Sequence, residues 1–140
     1  MNVDSLERGV VIDHIESGKC MEIYRYLNLD KLDCSVAIIK NARSKKMGRK
    51  DIIKIEDNID LDLDILGFVG KDITVNVIDS GKIIEKKQLK FPNRVVNVVS
   101  CKNPRCITSI EQELPHVFDL VNNEKGIYRC TYCEHIYETK

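Results

Sequence analysis

The sequence predicts an α+β fold in two parts. A ferredoxin-like N-terminal domain occupies residues 1–92, and a small antiparallel β domain occupies 93–140. Three observations predict this. β-branched runs alternate with helical spacings as far as residue 90. The triplet Phe91-Pro92-Asn93 then breaks the pattern. Beyond it, four cysteines stand in two tight pairs, Cys101 with Cys106 and Cys130 with Cys133.

Arg8–Ile15 (RGVVIDHI) is β-branched and reads as the first strand. Ser17-Gly18 opens a helix in which Met21, Tyr24 and Leu27 recur every three residues, with Ser17 as N-cap. Asp33–Lys40 is a second strand, Asn41–Gly48 a polar, basic loop or hairpin connection, and Lys50–Glu56 a third strand. Leu61, Leu63, Leu66 and Val69 mark a short helix that Gly70 stops. Asp72–Asp79 and Lys82–Lys87 are strands four and five, joined by a Ser80-Gly81 turn. The order β-α-β-β-α-β plus one edge strand is the split βαβ arrangement. Helices are expected on one sheet face, leaving the other to solvent or a partner. After the break, Arg94–Ser100 is expected to deliver Cys101 as a strand. Ile127–Arg129 delivers Cys130, and His135–Glu138 returns from Cys133. Tyr132 and Tyr137 are expected to pack this domain.

Four residues separate Cys101 from Cys106, two separate Cys130 from Cys133, and 23 lie between the pairs. Such spacing suits a tetrahedral centre stapling two turns. One structural Zn²⁺ is the expected occupant, because it accepts four thiolates at about 2.3 Å without a geometric preference of its own. The alternatives are disulfides or plain buried thiols. A closed Cys₄ site has no position for water or substrate, so the metal holds shape and does no chemistry. A segment of this size needs such a staple to fold. Cys20 and Cys34 lie outside the set and read as free thiols, Cys20 on the buried side of its helix.

Lys+Arg and Asp+Glu number 22 each among the 140 residues. Splitting the chain at residue 93 leaves 16 of each sign before it and 6 of each after it. This balance argues against a nucleic-acid or membrane binder. The N-terminal stretch MNVDSLERG lacks an apolar core of the signal-peptide kind, and no apolar run approaches the roughly 18 residues of a membrane span. The expected location is cytoplasmic. Lys40–Lys54 is basic, with Asp51 its one acid, and reads as a solvated loop or an anion patch. No Walker loop or G-x-G-x-x-G is present, so any nucleotide site is built from a sheet face.

Four stretches resemble the regulatory subunit family of aspartate carbamoyltransferase: RGVVIDHI at 8–15, MGRKDIIKIE at 47–56, TVNVID at 74–79, and C-x₄-C…C-x₂-C-E ending at Glu134. They fall in the family's order across nearly the whole chain. The resemblance implies a non-catalytic subunit with no catalytic residues. Nucleotides (ATP as activator, CTP and UTP as inhibitors) bind the N-terminal domain. The zinc domain then passes feedback regulation of pyrimidine biosynthesis to separate catalytic chains. It implies a nucleotide pocket of Val3, Asp13, His14, Lys54, Asn76, Ile78, Ile83 and Lys86, with Lys86 on phosphate. Zinc ligands would be Cys101, Cys106, Cys130 and Cys133. Asn103, Arg105 and Glu134 would touch the catalytic chain, and a second regulatory chain would complete a homodimer near Arg49 and Lys50. Two residues depart from the family pattern. Gly81 stands where the best-known members carry a tyrosine, and Arg105 replaces an asparagine of the family pattern.

The residues agree in kind. A carboxylate at Asp13 suits an amino or hydroxyl donor, and His14 and the lysines suit phosphate or carbonyl oxygens. By themselves these positions also read as a strand-end Asp, a satisfied histidine, surface lysines and ordinary core. By alternation Lys54 shares a face with Ile52, and Asn76 with Ile78. Two other functions are weaker. A zinc-ribbon nucleic-acid module needs a basic zinc domain. A zinc hydrolase or deaminase needs an open metal position with a glutamate general acid/base before Cys130.

Overall fold

The computed structural model describes residues 5–139, so Val3 lies outside the described residues. The chain divides into two compact units, Met1–Lys90 and Phe91–Lys140. No helix among the described residues is long and apolar enough to cross a membrane.

The first unit contains strands β1 (Gly9–Glu16), β2 (Val36–Ser44), β3 (Gly48–Ile55), β4 (Thr74–Asp79) and β5 (Lys82–Gln88). Helices α1 (Cys20–Tyr26) and α2 (Leu63–Val69) connect them, with a 3₁₀ turn at Leu29–Lys31. The sheet order is β2-β3-β1-β4-β5, and every neighbouring pair is antiparallel. β3 lies between β1 and β2, which is the split βαβ arrangement with β5 as added edge.

The helices cover one face. Ile23, Leu66 and Val69 pack with Val10, Ile12, Ile53, Ile55 and Val75. Fully burying each such side chain is worth about 1.5–3 kcal/mol. Of the expected α1 stripe, Tyr24 and Leu27 pack partly buried against this core, but Met21 is exposed, and Cys20 and Ile23 are the fully buried positions. Three-residue spacing alone fits two neighbouring faces of so short a helix, and contact with the sheet selects between them. Ser17 does not cap α1. The cap position is Lys19, without a side-chain bond, and the Ser17 hydroxyl donates to Asn41 Oδ1. α2 has a true cap: Asp62 Oδ1 accepts from Asp64 N at 3.1 Å and Ile65 N at 3.2 Å. Gly70 ends α2 with extended backbone.

β2 and β3 run further than expected. Asn41–Gly48 is mostly strand, closing in a tight hairpin. Two bulges stand opposite neighbouring residues of β3, Ile52 and Asp51. On β1, Asp13 and His14 stand between the pairs Ile12–Ile53 and Ile15–Asp51, with His14 at φ 57°. On β2, Lys40 and Asn41 stand between Ile39–Ile52 and Ala42–Lys50, with Asn41 at φ 59°. Bulges free amides from the ladder. The carboxylate of Asp51, fully buried, accepts Asn41 N at 3.0 Å, Gly18 N at 2.9 Å and Cys20 N at 3.3 Å. The one acid of the basic stretch is therefore an internal clamp. Burial opposes its ionisation, but these bonds outweigh it and hold its pKa below the usual value. Burial first, and then the bond to Asp51, push the Cys20 thiol up to about 11.

The second unit is a four-stranded antiparallel sheet, in the order β6 (Arg94–Val96), β7 (Val117–Asn122), β8 (Ile127–Cys130), β9 (Ile136–Glu138). A short helix, α3 (Ile107–Ile110), precedes β7. Phe118 and Tyr128 form its core, and Tyr137 meets Phe118 edge-on at 6.1 Å. Tyr132 is 43% exposed and does not pack as expected. The buried Tyr128 hydroxyl instead donates to Pro92 O at 2.7 Å. Gly126, at φ 68°, lies so close to the Phe91 ring that a Cβ would stand 2.6 Å from it.

Candidate functional site

Two sites emerge, one on the open face of the first sheet and one at the paired cysteines. Cross-strand partners project to the same face. Lys54 pairs with Val11, Val11 with Asn76, and Asn76 with Lys86, so these residues form one row across four strands. Ile78 pairs with Ile83 in the next row. This is the face opposite the helices. It holds a cavity of about 370 Å³ lined by Val11, Asp13, Ile52, Lys54, Asn76 and Ile83, among others. Ile78 and Gly81 also line it. Lys86 is exposed at the end of the row.

Asn76 gives this cavity its chemical character. It is 8% exposed, and its Oδ1 finds no hydrogen-bond partner among the described residues. A buried acceptor without a donor costs about 1–3 kcal/mol, so the position suits a ligand that brings an N–H or O–H. Asp13 is already engaged. Its Oδ1 lies 3.0 Å from Lys50 Nζ and accepts the His14 amide at 2.6 Å. His14 does not join the group, because the bulge turns it away. It lines a neighbouring cavity of about 220 Å³ with Glu16, Lys19 and Met47, and its Nδ1 is 3.0 Å from Thr74 Oγ1. The family resemblance implied that Asp13 and His14 both contact the nucleotide, and a bulge of this kind leaves no clear mark on one sequence. Lys50 and Arg49 both bond within the chain, Arg49 Nη1 donating to Asn41 O at 3.2 Å. The Ser80-Gly81 turn at the cavity's rim has positive φ at both residues, the type I′ geometry that favours glycine second.

In the second unit the four cysteine Sγ atoms all lie within 4.8 Å of one another. Cys101 and Cys133 are 3.5 Å apart, Cys106 and Cys130 3.8 Å. Four sulfurs at about 2.3 Å from a tetrahedral zinc would stand about 3.8 Å apart, so the set fits that ion. The separations are too long for disulfides, which need about 2.05 Å. β8 delivers Cys130, and the turn closed by Glu134 N to Cys130 O at 3.0 Å delivers Cys133. Cys106 sits at the head of α3, where it accepts from the Thr108 hydroxyl at 3.1 Å. Cys101 does not come from a strand as expected. β6 ends at Val96, because Asn97 takes φ 57°.

The thiols differ in acidity. Burial, followed by the neighbouring thiols, pushes Cys101 up to about 12. Burial also opposes ionisation of Cys133, but bonds from the Asn103 side chain and the His135 amide outweigh it and bring it to about 7. Asn103 thus braces the knuckle, and its Oδ1 also accepts Arg105 N at 3.0 Å. Arg105 and Glu134 are exposed beside the centre. With four protein thiolates the site is closed and structural.

Two family models together match most of the chain. The family model for the aspartate carbamoyltransferase regulatory chain, allosteric domain, matches residues 1–90. The model for the metal binding domain of that chain matches residues 93–140. The chain is 51% identical over 138 residues to the aspartate carbamoyltransferase regulatory chain of Clostridium acetobutylicum, covering 99% of this chain and 94% of the relative. It is 50% identical to that of Clostridium tetani, covering 99% and 96%. It is 48% identical to that of Bifidobacterium longum, covering 96% of each. With its allosteric and metal-binding domains in sequence and its cysteines gathered to hold one structural zinc, the chain belongs to the aspartate carbamoyltransferase regulatory chain family.

Proposed function

We propose that the chain is an effector-binding subunit that senses ATP, CTP and UTP on the open face of its first sheet and passes their occupancy to catalytic chains docked on the zinc domain. Catalysis belongs to a separate chain, and this one is regulatory. The observation that carries the reading is the buried Asn76 Oδ1, without a partner among the described residues and set in one row with two lysines. An exocyclic amino group or a ribose hydroxyl supplies the missing donor. Ile78 and Ile83 offer apolar contact to base or sugar, and Lys86 anchors phosphate as a point charge. Asp13, held by Lys50, borders the pocket, and Lys54 completes the polar wall. His14 stands on the adjoining cavity. The first unit is this effector domain and the second the docking domain, with Phe91 and Pro92, which the sequence pattern put before the boundary, belonging to the second. Asn103, Arg105 and Glu134 meet the catalytic chain, and a second regulatory chain pairs with this one. The reading places the assembly in the cytoplasm, where thiols stay reduced for the metal.

Regulation follows from linkage. A nucleotide shifts the enzyme between states only by its differential affinity for them. Calorimetric titration of ATP, CTP and UTP into the zinc-loaded chain, with and without catalytic chains, tests the proposal. Saturable binding of at least one nucleotide is expected, with an affinity that changes on assembly. No heat from any of the three, in either form, refutes it.

A further inference from the structure

Three of the four cysteine ligands are placed by regular structure: a strand for Cys130, a closed turn for Cys133, a helix head for Cys106. Cys101 follows an irregular stretch, because β6 stops at Val96. Its amide donates to His116 Nδ1 at 3.2 Å. His116 is itself held at both backbone groups by one residue. Asn97 N donates to His116 O at 2.8 Å, and His116 N donates to Asn97 Oδ1 at 2.9 Å. The ring nitrogen Nδ1 is the acceptor of this bond, which leaves Nε2 as the ring's donor.

We propose that His116, locked by Asn97, is the positioning residue of the metal centre and fixes Cys101 for coordination without ligating the metal itself. The chain of contacts replaces the strand that the sequence pattern suggested. Asn97 bends the chain out of the ladder, clasps residue 116 across to β7, and the ring on that residue catches the amide of the wandering ligand. Partners behind a metal ligand commonly change metal affinity 10–100-fold when removed. This assignment rests on the Cys₄ zinc reading, and zinc binding by the parent chain tests that reading separately.

The experiment compares the full chain with His116→Phe and His116→Asn. Zinc affinity is measured by competition with a chromophoric chelator, and thiolate-to-metal absorption is recorded after cobalt(II) loading. Phenylalanine keeps the ring without an acceptor, whereas asparagine places Oδ1 where Nδ1 was. The Phe variant is expected to bind zinc about tenfold or more weakly, with an altered cobalt spectrum. The Asn variant is expected to restore most of both. A Phe variant with unchanged zinc affinity overturns the assignment, as does an Asn variant as weak as Phe. Should the Phe variant fail to fold with zinc, His116→Ala against His116→Asn decides, and equal affinity of those two overturns it.

Discussion

Replacing Asp51 tests whether a buried carboxylate, rather than strand propensity, holds the bulged end of the first sheet. Three backbone amides donate to it: Gly18 and Cys20 to Oδ2, Asn41 to Oδ1. Hydrogen bonds to a charged group contribute about 1.5–3 kcal/mol each. The Cys20 bond is long at 3.3 Å, and the Gly18 and Asn41 amides, only partly buried, recover water when released. The cost of desolvating the carboxylate is also relieved. These corrections bring the expected loss for Asp51→Ala to about 3–5 kcal/mol, a large share of the roughly 5–15 kcal/mol of a domain. Asp51→Asn keeps one acceptor and turns an amide toward the remaining donor, so about 2 kcal/mol is expected. Urea unfolding of the zinc-loaded chain, followed by far-ultraviolet circular dichroism of the helices in the first unit, measures both. The pH dependence has a defined sign. The folded pKa is depressed, so this stabilisation is present above the unfolded carboxylate value of about 3.9 and is lost as pH falls through the folded pKa. The gap between parent and Asn variant should therefore narrow on acidification below about pH 4. An Ala variant within about 1 kcal/mol of the parent, or a gap that widens in acid, would refute the clamp.

Lys86→Ala should weaken triphosphates far more than the nucleoside in calorimetry, and equal losses would remove Lys86 from phosphate. Asn76→Ala should weaken nucleoside and triphosphate alike, by about 1–1.5 kcal/mol or roughly tenfold, and unchanged affinity would leave its buried oxygen unexplained. Cys130→Ser, or zinc removal by a chelator, should unfold the Phe91–Lys140 unit and release catalytic chains, while the helical signal of the first unit persists. Normal assembly of zinc-stripped chain in sedimentation would contradict this. Cys20, fully buried with its thiol held up to about 11, should resist alkylation in the native zinc-loaded chain longer than half-buried Cys34, as read by mass spectrometry of labelled peptides.

The sequence by itself determined the broad arrangement, because the relevant physics is local. Alternating β-branched residues can bury only one face of a strand, so β1, β3 and β4 were legible, and with them the row that sets Asn76 and Ile78 on one side. Cysteine spacing likewise reflects how few residues a turn needs to bring two sulfurs to one ion. Tertiary structure alone decided the rest. The bulge that parts His14 from Asp13 is a mismatch of register between β1 and β3, and no window of β1 contains that information. The end of β6 depends on a clasp between Asn97 and His116, which only strand pairing brings together. That Asn76 Oδ1 lacks a partner among the described residues is a property of the folded surface, since any unfolded asparagine finds water. Periodicity reports what a residue does to its own segment. The site is made of what distant segments leave unsatisfied in one another.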